Sequence, residues 1–333
     1  MNLQIRISFV IMAVLLVLIG WLHLGVLVLT ALFGYFAILK FSFGRSRLLG
    51  LAIYIIAVAA IGYGMFSFTR HAYKTLPEIA DTTIPKVVEY AESQNVELPF
   101  TDYASLKTLA VTEVKDSFAN VGRYARTAMF ELASLLIGLF VAASLFWNAR
   151  WGSEDDPSTA RDSLYATVVS ELGIRFQTFF DSFSRVIGAQ IIISMINTGL
   201  TAVFLFWNGF RFAPVLIIVT FMCGLLPIVG NIISNTLIVF VAFTISPKVA
   251  LVALIYLVVI HKLEYFLNSK IIGDRIKNPM WLTLLGIVLG EKLMGIPGMI
   301  LAPVVLHYIK VESSRAKVVM GSEVTVAVES AKD

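Results

Sequence analysis

The sequence predicts an all-α, polytopic membrane protein, and three observations carry this. Of 333 residues, 58% are apolar and only 14% are charged, against about 45–50% and about 25% in soluble domains. The apolar residues fall in long runs, several reaching the roughly 20 residues that a helix needs to cross a bilayer. Lys and Arg gather in the short connections beside those runs, where they set orientation. The net charge of +4 therefore gives no reason to expect a nucleic-acid partner. The single cysteine, Cys223, excludes an intrachain disulfide and reads as a small packing residue in an apolar run.

Residues 7–39 exceed one crossing and predict two spans joined by a tight turn at "GWLHLG" (20–25). The run is far longer than a signal-peptide core, so no cleavable leader is expected. A third span is expected at 48–68, a fourth at 127–147, a fifth at 186–207 and a sixth at 248–266. Between the fifth and sixth, the uncharged stretch 212–247 is interrupted by "PIVG" (227–230). After the sixth, 279–309 is interrupted by "GEKLMGIPG" (290–298).

These interruptions matter because no water replaces lost backbone hydrogen bonds inside lipid. Arg6, Lys40, Arg45, Arg47, Lys262, Lys270, Arg275, Lys277, Lys310, Arg315 and Lys317 share one side only if each interrupted stretch enters and leaves by the same face. The arms 213–226, 231–245, 279–290 and 296–309 are each short for a crossing. Both stretches are read as broken, re-entrant helical hairpins, the alternative being two kinked through-helices.

Outside the spans, residues 69–126 are placed externally, with a near balance of seven basic and eight acidic residues over 70–126. Leu106, Ala110, Val114, Phe118, Val121 and Ala125 recur at helical spacing. Pro77, Pro85 and Pro99 are expected to divide the first half into short helices. The segment reads as a small helical cap.

Residues 148–162 form a polar connection. An amphipathic helix follows, starting near Pro157, with Leu164, Val168, Leu172, Phe176, Phe179 and Phe183 on one face. Such a helix either lies along the membrane surface or packs on its neighbours. The whole organises as 1–68, a three-span unit; 69–126, the external insert; 127–151, the fourth span; 152–185, the amphipathic helix; 186–311, a core with two broken hairpins; and 312–333, a tail.

Signals for catalysis are poor. His23, His71, His261 and His307 have no metal-ligand spacing, and no phosphate-binding loop is followed by Lys-Ser/Thr. No enzyme, metal or cofactor is expected. Signals for transport are better, because paired helix breaks expose backbone groups and half-helix ends at membrane depth. Asn231 and Asn235 share a face just after the first break, either binding a polar solute or satisfying the break's own backbone. Pro227 and Gly230 make the turn. Glu264 is an ionisable residue near the end of the sixth span, and either a functional group or an interfacial one. Glu291 and Lys292 lie at the second break, as a solvated tip or on the path. Glu131 reads as an interfacial residue, and Asp181 with Arg185 as a surface i,i+4 pair.

Three stretches carry a resemblance: "GLLPIVGN" (224–231), "VVIHKLEYFLNSKIIGDRIKNPMWLTLLGIVLG" (258–290) and "GIPGMILAPVV" (295–305). Together with the layout, the chain resembles the autoinducer-2 exporter-type (AI-2E) family of permeases over nearly its whole length, with specific motifs in the last third. Pro227, Gly230, Glu264, Pro279, Gly295, Gly298 and Pro303 match the family's pattern, whereas Asn231 stands where members often have proline. The resemblance implies export of small polar signals or, in some members, sodium/proton exchange.

The expectation is therefore a multi-pass permease of the inner (cytoplasmic) membrane. It would export a small polar solute, an autoinducer-2-like signal or a metabolite, by secondary transport as a homo-oligomer. The alternatives are a monovalent cation/proton antiporter with Glu264 as proton carrier, and a non-transporting scaffold whose external cap binds a partner.

Overall fold

The computed structural model describes residues 3–42, 46–94, 121–148, 163–226, 229–272 and 279–315. Among these residues there are ten helices and no strand. They are α1 (Leu3–Trp21), α2 (Gly25–Phe41), α3 (Arg47–Ser93), α4 (Val121–Trp147), α5 (Leu164–Trp207), α6 (Ala213–Gly224), α7 (Val229–Ala242), α8 (Pro247–Ile272), α9 (Met280–Met294) and α10 (Ile296–Arg315). All-helical structure follows from the solvent: in lipid, a helix satisfies its backbone within itself.

By length and composition, Leu3–Trp21, Arg47–His71, Arg126–Trp147 and Leu164–Trp207 can each cross a membrane. α2, with 17 residues, falls just short of that length. α8 has 26 residues but carries Lys248, Lys262 and Glu264.

The tight turn between α1 and α2 is present, with His23 at φ 53°. α2 packs parallel to α4 through small residues. A Cβ at Gly34 would lie 2.6 Å from the Ala142 Cβ, and one at Gly138 would lie 2.7 Å from the Leu27 carbonyl. Without a hydrophobic force between helices in lipid, such close backbone approach is what holds them together.

Two expected boundaries are corrected. Pro77 and Pro85 do not break the chain: α3 is one helix of 47 residues. Each proline removes one backbone hydrogen bond, but Ile79 and Ile84 are 2% and 1% exposed, and Ile79 packs with α5, α6, α7 and α8. That burial compensates for the lost bonds. Pro99 and the expected helical face from Leu106 to Phe118 lie outside the described residues, and Val121 and Ala125 belong to α4.

The amphipathic helix and the fifth span are likewise one helix of 44 residues, capped by the Ser163 hydroxyl accepting from the Ala166 N–H. Pro157 lies outside the described residues. The aromatic face packs inward: Phe179 and Phe183 are buried against Met12, Ile300, Val304 and Tyr308. That end of the face is occupied by protein, whereas Leu164 and Phe176 on the same face are 53% and 38% exposed. Asp181 and Arg185 are exposed.

Both interrupted stretches are antiparallel hairpins. In the first, Ala213 and Leu216 at the start of α6 pack with Ile238 and Val241 at the end of α7, while Gly230 meets Cys223 at the turn. Its arms, of 12 and 14 residues, are about 18 and 21 Å long. In the second, Gly290 faces Gly298, and Gly286 faces Ala302 and Leu306. The turn is a single residue, Gly295, at φ 64°, a region glycine enters without a steric penalty.

This second hairpin runs deeper than its sequence suggests. α10 has 20 residues, about 30 Å. Leu293 and Met294 at the tip reach Gly20 at the far end of α1 and Gly25 at the start of α2, and Glu312 lies near Ser8 through Arg175. Residues 312–315 thus belong to α10 rather than to a tail.

α5 joins two packing groups. Its first half sits with α1, α2 and α10. Its second half, through Leu205, sits with α6, α7, α8 and the far part of α3. In the first group Arg175 is 6% exposed. Its guanidinium donates to Glu312 (2.7 Å), Glu171 (3.1 Å) and Ser8 (3.2 Å) and covers the Phe9 ring at 3.8 Å.

Candidate functional site

The first hairpin ends one helix and begins another inside an apolar environment, so its backbone groups need partners. α5 supplies them. The Gln190 side-chain amide donates to the Gly224 carbonyl at 2.6 Å, and the Ser194 hydroxyl donates to the Phe221 carbonyl at 2.9 Å. The Leu226 N–H closes on the Cys223 carbonyl at 2.8 Å. Gly224 is required for this approach, because a Cβ there would stand 2.4 Å from the Ser194 hydroxyl. At Gly230 a Cβ would be 1.6 Å from the Cys223 carbonyl oxygen, so no side chain fits. Pro227 lies outside the described residues.

With the end of α6 satisfied from α5, Asn231 is released for another task. It is 7% exposed, in the first turn of α7. Its side-chain N–H donates to the Glu264 carboxyl at 2.5 Å, and its side-chain carbonyl accepts from the Asn197 amide at 3.5 Å. Three helices thus bring one carboxyl and two carboxamides into line. The positive end of α7 favours a negative charge there, and Glu264 is the residue that supplies it. Buried Ser234 lies one turn along α7, its hydroxyl turned back to the Asn231 carbonyl at 3.4 Å. Asn235 is half-buried, on the same helix.

The remaining expected residues lie on the second hairpin. Pro279 precedes α9, and Glu291 is exposed in its last turn, 3.6 Å from Lys292. Gly295 makes the turn. Gly298 presses on Gly290, and Pro303 sits within α10. None of these forms a hydrogen bond with the Asn231–Glu264 pair among the described residues. The turn of the first hairpin joins, through Leu226, an apolar cluster that holds Phe183 and Ile187 of α5 together with Ile300 and Val304 of α10.

Asn197, Gln190 and Ser194 are the residues that sequence reasoning missed. The signal was there: Gln190, Ser194, Asn197 and Thr201 recur at i, i+4, i+7 and i+11 in an apolar span, one polar stripe on one helix face. In such a span, polar residues face protein or a cavity rather than lipid.

Arranged this way, the seam can hold a small polar molecule or ion by a carboxylate and two amides, each able to change partner. The comparisons with known proteins fit this chemistry. Residues 125 in number align at 30% identity with a Bacillus subtilis (strain 168) protein named "Putative transport protein YdbI", covering 37% of this chain and 36% of that one. The match thus spans about a third of the curated relative's length. No solved structure matches. The family model described as "AI-2E family transporter" matches residues 3–315. With a family match running from the first described helix to the last, this multi-pass membrane protein belongs to the AI-2E family of transporters.

Proposed function

We propose that the chain is a permease of the inner membrane that exports a small polar solute, of the autoinducer-2 or a related metabolite class, by secondary transport. The path is the seam between α5, α7 and α8. The observation that carries this reading is the Asn231 amide, bridging Asn197 and the Glu264 carboxyl beside a helix break. Charged and polar groups at that depth are costly unless they serve a path. The break spends none of them on its own repair, because Gln190 and Ser194 do that work. A solute rich in hydroxyls can replace the Asn197–Asn231 and Asn231–Glu264 contacts one at a time as it passes. The second hairpin, which shares an apolar cluster on α5 with Leu226 at the turn of the first, is the element that opens and closes the seam. Self-association into a homo-oligomer belongs to the same reading.

The test is flux in reconstituted vesicles, screening small polyhydroxylated metabolites. Asn231→Ala is expected to lower flux at least tenfold, with thermal stability in detergent changed by a few degrees at most. Flux unchanged in Asn231→Ala removes the seam as the path.

One observation favours a second reading within the same class. Glu264 is the carboxyl on the seam, hydrogen-bonded by Asn231, and a carboxyl so held can exchange a proton for a monovalent cation. Vesicles carrying Glu264→Gln would then lose pH-driven cation exchange, and retained exchange rules this reading out.

A further inference from the structure

Away from the seam, a cleft of about 530 Å³ opens where the α1–α2 turn, the start of α4 and the tip of the second hairpin converge. Its apolar wall is Leu22, Val26, Phe130 and Met294, and its polar groups are His23, Arg126, Thr127 and Glu131. The volume is within the range of small-molecule sites, about 300–1,000 Å³. Glu131 points one carboxyl oxygen, Oε2, into a buried position with no hydrogen-bond partner among the described residues. A buried carboxylate oxygen without a donor is costly, so a donor belongs there. Arg126 lies at the other end of the polar wall, about 7.5 Å along the α4 axis, and presents a guanidinium suited to a phosphate.

The cleft's depth is set by the spans around it. Leu3–Trp21 ends, and Arg126–Trp147 begins, at this level. Trp21 is 74% exposed beside it, as aromatic residues are at the edge of the hydrocarbon. Met129, Phe130 and Leu132 face outward from α4 at the same place. The cleft therefore opens at a membrane interface, onto lipid as well as water.

We infer that this cleft binds a zwitterionic phospholipid headgroup, phosphoethanolamine. Arg126 holds the phosphate, with His23 beside it. Glu131, on the cleft wall, accepts a hydrogen bond from the ammonium with its carboxylate turned into the cleft, and the first acyl methylenes run along Phe130 and Leu22. Because Met294 completes the wall, a bound lipid seals the tip of the second hairpin against the α1–α2 turn, where Gly25 already meets Met294 and Pro297. Lipid at this site steadies the hairpin's outer end, whatever solute the seam carries.

The experiment uses the purified full chain, stripped of lipid in detergent, with thermal unfolding and native mass spectrometry as readouts. Phosphatidylethanolamine should bind saturably and raise the melting temperature. Phosphatidylglycerol, which lacks the ammonium, should bind about tenfold more weakly. Glu131→Gln, which keeps the shape, should erase that preference, and Arg126→Gln should weaken both lipids. Both side chains border the cleft rather than the core, so the lipid-free melting temperature of each variant reports directly whether the fold is intact. Equal binding of the two lipids by the wild type, or an unchanged preference in folded Glu131→Gln, overturns the inference. So does equal competition by water-soluble glycerophosphoethanolamine, which would assign the cleft to a soluble ligand instead of a lipid.

Discussion

Replacing Arg175 by Met should cost more than replacing Arg175 and Glu312 together. The Arg175 side chain is 7% exposed and the Glu312 side chain 6%, and their charged groups are 2.7 Å apart. Arg175→Met removes the donor to Glu312 Oε2, while Glu312 Oε1 has no partner among the described residues. Both carboxylate oxygens are then buried and bare. Removing one partner of a buried pair costs about 3–5 kcal/mol, whereas replacing both by apolar groups of similar volume is often neutral or better. The local numbers favour the upper part of that range, because Ser8 and Glu171 lose the same donor and Phe9 loses the cation on its face. Glu171, at 25% exposure, recovers part of its loss by turning to water. The assay is a double-mutant cycle on reversible unfolding in mixed micelles, with Arg175→Met, Glu312→Leu and both. The expected coupling is at least about 2 kcal/mol, with the double variant closer to wild type than Arg175→Met is. A single variant within about 1 kcal/mol of wild type, or strict additivity, refutes the argument that this network is desolvated and holds α1, α5 and α10 together.

Three further outcomes follow from the same geometry. Gln190→Leu leaves the Gly224 carbonyl without its donor, and should lower stability by about 1–3 kcal/mol in a melting experiment. Gly230→Ala places a methyl 1.6 Å from the Cys223 carbonyl, so it should lower both flux and melting temperature, whereas Asn231→Ala separates the two. Asn197→Ala should reduce flux in vesicles about as far as Asn231→Ala, and Asn235→Ala much less, since only the first two meet in one hydrogen-bonded line.

Which parts of this protein were legible in its sequence depends on the range of the forces involved. The runs of apolar residues and their flanking Lys and Arg respond to the bilayer, a solvent whose thickness and polarity every residue meets locally, so an all-α multi-pass chain could be read one segment at a time. The second break was equally local, because glycine acts on its own backbone, though the structure narrows the expected 290–298 to Gly295 alone. Gly230 and Gly298 proved to be positions where another backbone leaves no room for a side chain. Continuity across Pro77 and Pro85 was not local. Burial of Ile79 against α5–α8 compensates for bonds that the prolines remove, and the residues that supply it lie more than a hundred positions away. The same holds at the seam. Asn231 and Glu264 were each visible as polar residues in apolar surroundings, but their contact and the arrival of Asn197 depend on how three helices cross. Arg175 and Glu312 are 137 residues apart, and neither stands out within its own helix. Pairing of distant side chains is decided by the packing of whole helices, and only the folded chain sums those contacts.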